Sequence, residues 1–172
     1  MQRARVLELG SSSALCFNCG IPLDAKYFDE SGVVVIFSDK PGEEVVLEAG
    51  TEVVLARFEL SPQYCGVLEY FAQFTDQYET DSSKIKTDGL EWVIVSNGHP
   101  LYPYVKLDRI VNPWGNGSFQ IAIRLDEGAT IEFVVRLLRR SSADLGITLV
   151  GGRIVGRYWY NTAYGAAGRN GR

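Results

Sequence analysis

One histidine, one methionine and three cysteines are all that 172 residues hold of those types, and each scarcity narrows what the chain can be. Any scheme that needs an imidazole must pass through His99, in "SNGHPLYPY". An odd number of thiols does not make a disulfide framework, which brings cysteines in pairs. The apolar runs are strand-sized, well short of the roughly eighteen residues needed to cross a bilayer, so no membrane partner is expected. In the opening stretch, "MQRARVLELGSSSALCFNCGIPL", Glu8 interrupts the apolar residues where a secretory leader has its hydrophobic centre, so synthesis in the cytoplasm is expected. Walker A and strand-GxGxxG-helix patterns are missing, and no cofactor is expected. Ser11, Ser12 and Ser13 lack the GxSxG elbow that exposes a nucleophilic serine. Beyond Asp144 there is no acidic residue.

That last absence reveals an uneven charge. The total is −4, but residues 1 to 135 carry ten basic and twenty acidic side chains, for −10, and residues 136 to 172 carry seven and one, for +6. A basic end on an acidic body suits nucleic acid, through release of counterions from phosphates, or docking on the acidic body of a neighbouring copy.

Helical periodicity is as scarce as histidine, whereas strand periodicity is abundant. Eighteen Gly, six Pro, nine Tyr and eight Phe favour sheet and turn. In "TIEFVVRL", Ile131, Phe133 and Val135 share one face and Glu132 and Arg136 the other; in "SFQIAIRL", Phe119, Ile121 and Ile123 oppose Gln120 and Arg124. "VVVIFS", "EVVLE", "TEVVLARFEL", "GVLEYFAQF", "EWVIVS", "ITLV" and "RIVGRYWY" have strand length and composition, and "SDKPGE", "SNGHP", "NPWGNGS" and "DEGAT" supply turns. "VVRLLRRSSADLG", residues 134 to 146, offers an alternative short helix. The pattern predicts an all-β fold, a single antiparallel β-sandwich of jelly-roll type, over residues 31–161, with extended arms over 1–30 and 162–172.

The candidate chemistry is sparse. Cys16 and Cys19, in "CFNC", have the spacing of two zinc ligands, and Cys65 and His99 are the other soft donors that would complete a tetrahedral site. Without a second paired motif, ordinary thiols are the reading preferred here, and no metal is expected. A Cys65 and His99 dyad has no sequence-visible orienting group. Glu69, Glu91 and Glu132 fall on strands and could share a face as a glycosidase pair does, although carboxylates on the polar face of a strand are commonplace. Asp76, Glu79 and Asp81 in "DQYETDSS" lack calcium-loop spacing.

Aromatic and basic residues stand out in "GGRIVGRYWYNTAYGAAGRNGR". Alternation sends Tyr158 and Tyr160 one way and Trp159 the other, so one set is expected in the core. Arg153, Arg157, Tyr158, Tyr160, Tyr164, Arg169 and Arg172 are the candidate partner-binding residues, with protein favoured over nucleic acid because the body is acidic. Tyr102, Tyr104 and Trp114 could instead be stacking platforms of a carbohydrate-binding module.

A compact all-β body carrying the arm "MQRARVLELGSSSALCFNCGIPL" and the Gly/Arg-rich end "YNTAYGAAGRNGR" resembles head, neck or decoration proteins of tailed bacteriophages. The resemblance spans the chain and is architectural, without a diagnostic motif. It implies a non-enzymatic virion subunit that forms a homo-oligomer within a larger assembly.

Overall fold

The computed structural model describes residues 22, 25–78, 85–102 and 118–161. Cys16, Cys19, Glu79, Asp81, Tyr104, Trp114, Tyr164, Arg169 and Arg172 lie outside them. The described strands are β1 (Lys26–Val35), β2 (Phe37–Ser38), β3 (Val45–Val46), β4 (Glu52–Glu59), β5 (Tyr64–Thr75), β6 (Leu90–Ser96), β7 (His99–Pro100), β8 (Ser118–Leu125), β9 (Thr130–Leu137) and β10 (Leu149–Tyr160). They form two four-stranded antiparallel sheets, β1-β10-β5-β8 and β4-β9-β6-β7, with β2 and β3 pairing as a small hairpin.

The alternation read from the sequence is what places the core. Ile131, Phe133, Val135 and Leu137 of β9 are fully buried, as are Trp92 and Ile94 of β6. They meet Leu68 and Phe71 of β5 and Val150 and Ile154 of β10 in one apolar cluster, where the Phe71 and Phe133 rings lie 5.6 Å apart. Each such side chain contributes about 1.5–3 kcal/mol by leaving water. Glycine on the inward face of β10 makes the approach possible. A Cβ at Gly152 would sit 2.5 Å from Phe133 Cδ1, and one at Gly156 would sit 2.2 Å from the Val67 carbonyl oxygen.

The alternative helix over 134–146 is not formed: Val134–Leu137 complete β9, and only Ala143–Leu145 curl into a 3-10 turn. Cross-strand pairing to both β4 and β6 fixes those residues in an extended conformation. Strand β1 begins ahead of residue 31. Lys26–Glu30 pair with Ile154–Tyr158, and buried Phe28 stacks on Phe58 with ring centroids 4.0 Å apart. Glu30 and Gly32 occupy inward positions between Phe28 and Val34, which erases the apolar alternation that would have marked the strand.

The turn in "SNGHP" forms as the sequence indicates. Asn97 and Gly98 have φ of 50° and 79°, the two left-handed residues of a type I′ hairpin, and Asn97 Oδ1 accepts a 2.9 Å hydrogen bond from the Thr130 amide. Among the described residues no helix is long and apolar enough to cross a membrane.

Candidate interaction face

β10 runs through the middle of its sheet, so its outward side chains meet those of β1 on one side and β5 on the other. Arg153 donates from Nε to Asp29 Oδ1 at 2.6 Å and from Nη2 to Asp29 Oδ2, a fork-to-carboxylate pair. The hydrogen bond from Arg153 holds the Asp29 carboxyl below the ordinary carboxylate range, and Asp29 pushes Arg153 up in return. Arg157 reaches Glu69 on β5 with Nε, at 3.0 and 2.9 Å from the two carboxylate oxygens, and with Nη2. Both arginines thus spend charge on a neighbouring strand of their own sheet.

The same face also exposes apolar area, most of it beyond the Arg153–Asp29 pair toward the start of β10. Tyr27 is 72% exposed and Val33 60%, and Val35, Tyr70 and Phe74 are each more than two-fifths exposed. Val33 and Phe74 flank Gly151, which supplies no side chain to cover them. Exposed apolar area on a sheet face, here Val33, Val35 and Phe74 around Gly151, is a mark of an interaction site. Sequence reasoning missed these residues, although "VVV" gives a signal: apolar side chains on both faces of a strand mean that both faces meet something.

The aromatic residues of β10 divide as alternation requires. Tyr158 packs on the core side, its ring 5.5 Å from Phe58 and 5.8 Å from Tyr64. Tyr160 meets the Tyr64 ring edge-on at 5.8 Å and stays exposed, and Lys26 Nζ lies 5.9 Å from the Tyr64 centroid. Trp159 is on the outward side, paired in register with Cys65. Of the candidate partner-binding set, then, Tyr158 is half-buried against the core, and Arg153 and Arg157 belong to cross-strand pairs.

Among the described residues, the catalytic and metal candidates lie apart. Cys65 is on the outward side of β5, its thiol pushed up by burial, whereas His99 is exposed on the edge strand β7 of the other sheet. No group of three or more metal-ligating side chains occurs among the described residues. Glu91 and Glu132 do share the outward face of the second sheet, but Glu69 faces outward from the first, so the three do not form one site. Glu91 is buried with Arg136 Nη1 at 3.3 Å, Arg136 Nε is 2.8 Å from Glu52, and Glu132 lies 3.4 Å from Arg57. Tyr102 is 82% exposed.

A groove of about 350 Å³ opens between the β2-β3 hairpin and the start of β10. Val35, Phe37, Val45 and Leu149 line it with apolar area, and Asp39, Lys40 and Glu43 line it with charge. The sequence marks "SDKPGE" only as a turn; the groove arises because the hairpin folds beside Thr148 and Leu149, more than one hundred residues away. Beneath it, Asp76 Oδ1 accepts from the Thr148 and Leu149 amides at 3.0 and 3.1 Å, and Oδ2 accepts from the Thr148 hydroxyl.

Comparison with known proteins finds no protein-family model that matches the chain and no match among curated proteins.

Proposed function

We propose that the chain is a jelly-roll-like β-sandwich subunit of a larger assembly, non-enzymatic, and built to associate with further copies of itself. A virion of the tailed-bacteriophage kind is the setting that the sequence resemblance suggests. The observation that carries the reading is the outward face of β1-β10-β5, where Val33, Val35 and Phe74 are exposed beyond the Arg153–Asp29 pair, and Tyr27 and Tyr70 beside the two internally neutralised ion pairs. Burying such a face on a neighbour gains about 25 cal/mol per Å² of apolar area. Because Arg153 and Arg157 already meet carboxylates, the face opposes that burial with little unpaired charge, and it has less to offer a phosphate backbone than the sequence alone suggests.

Phe74→Asp and Val33→Asp place a charge on this face without touching the core. Sedimentation velocity is expected to show each variant folded but dissociated relative to the parent chain. Variants that associate like the parent would remove the face from the account. Carbohydrate binding is the second reading, favoured by the exposed Tyr102. Glycan-array binding by the parent chain that is abolished in Tyr102→Ala would support that reading instead.

A further inference from the structure

The groove beside the β2-β3 hairpin combines an apolar floor with an acidic rim. Asp39 and Glu43 line it and Glu44 lies on the same hairpin, against a single lysine, Lys40. Residues 162–172, "TAYGAAGRNGR", have the complementary chemistry: Tyr164 for the floor, Arg169 and Arg172 for the rim, and no acid. Chain geometry decides whose segment it is. The groove is at the start of β10, and the segment follows Asn161 at the far end of that twelve-residue strand, roughly 36 Å away at the usual rise of a strand. Eleven extended residues span at most about 36–40 Å, so a segment returning to its own groove would be used up in the crossing.

We propose that this groove receives residues 162–172 of a second copy of the chain. The proposal rests on the assembly reading above and names its receptor. One surface meets a different surface of another copy, so the contact closes either reciprocally between two copies, as an exchanged-arm dimer, or by repetition in a ring or filament.

The test uses the full chain and charge reversal on each side of the contact. Asp39→Lys with Glu43→Lys, or Arg169→Glu with Arg172→Glu, is expected to weaken association by at least about tenfold in sedimentation velocity. Combining all four substitutions is expected to restore it to within about threefold of the parent, since like charges on either side become opposite ones again. The reversed positions in the groove are exposed, and circular dichroism verifies that each variant keeps its sheet. Two results overturn the groove assignment while leaving the assembly reading intact: a parent that associates and is unaffected by either reversal, or a fourfold variant as weak as the single-sided ones. A parent that stays monomeric throughout overturns both.

Discussion

Asp76 joins the end of β5 to the beginning of β10. Burial raises its pKa, but the hydrogen bonds from the Thr148 hydroxyl and from the Leu149 and Thr148 amides outweigh burial and hold it below the ordinary value. The folded chain therefore binds its proton less readily than the unfolded chain, whose carboxylates titrate near 3.9. The resulting stability is present in full well above that value and is lost as pH falls through the lower folded one. Asp76→Asn is expected to cost about 1–2 kcal/mol at neutral pH and to flatten the acid side of the stability profile, as read by urea titration between pH 3 and 7. An unchanged midpoint at neutral pH would contradict that role. Gln73 presents the opposite case. Its Nε2, like Trp92 Nε1, is buried without a hydrogen-bond partner. Replacing a buried donor that has no partner by an apolar group of similar shape removes a desolvation cost, so Gln73→Met is expected to be neutral or stabilising by up to about 1–2 kcal/mol. A loss above about 2 kcal/mol in the same titration would show that the amide is satisfied in solution.

β10 is the element on which sequence and structure agree in one part and diverge in another. "RIVGRYWY" reads as a strand and is one, and the division of Tyr158 from Trp159 follows from alternation alone. The continuity of that strand with "ITLV" was not legible, because Gly151-Gly152 look like a break in sequence while serving as the close approach to Phe133 and the gap between Val33 and Phe74. A Cβ at Gly156 would meet the Val67 carbonyl oxygen and the Phe28 ring at 2.2–2.6 Å, whereas one at Gly151 would meet the Gly32 carbonyl oxygen and the Val33 and Phe74 side chains only at 3.1–3.2 Å. Gly156→Ala is accordingly expected to cost on the order of 1–3 kcal/mol and Gly151→Ala distinctly less, measured by thermal denaturation. Equal costs would contradict the packing described. The same locality limit explains the site. Arg153 finds Asp29 and Arg157 finds Glu69 across 124 and 88 residues of sequence, so the pattern that flagged two arginines could not reveal that their charge is internally met. It likewise could not bring the hairpin at 37–46 beside Leu149.

At the scale of the whole molecule, the sequence divides into an acidic body and a basic end, and the structure divides the basic end again. Arg136, Arg140, Arg153 and Arg157 pair with Glu52 and Glu91, with Glu48, with Asp29 and with Glu69. Most such pairs are partly exposed and screened by solvent, so they tune the surface more than they hold the fold. Of the other basic residues in that end, Arg139 is exposed after β9, and Arg169 and Arg172 follow Asn161 in the sequence. Deleting residues 162–172 is therefore expected to leave the denaturation midpoint unchanged and to weaken association, whereas a truncated chain that unfolds would place those residues in the fold itself. Underneath all of these outcomes is one quantity, the mass of the full chain in solution. Multi-angle light scattering across a dilution series is expected to give a multiple of 19.1 kDa that declines on dilution; a constant 19.1 kDa at every concentration would contradict the assembly account.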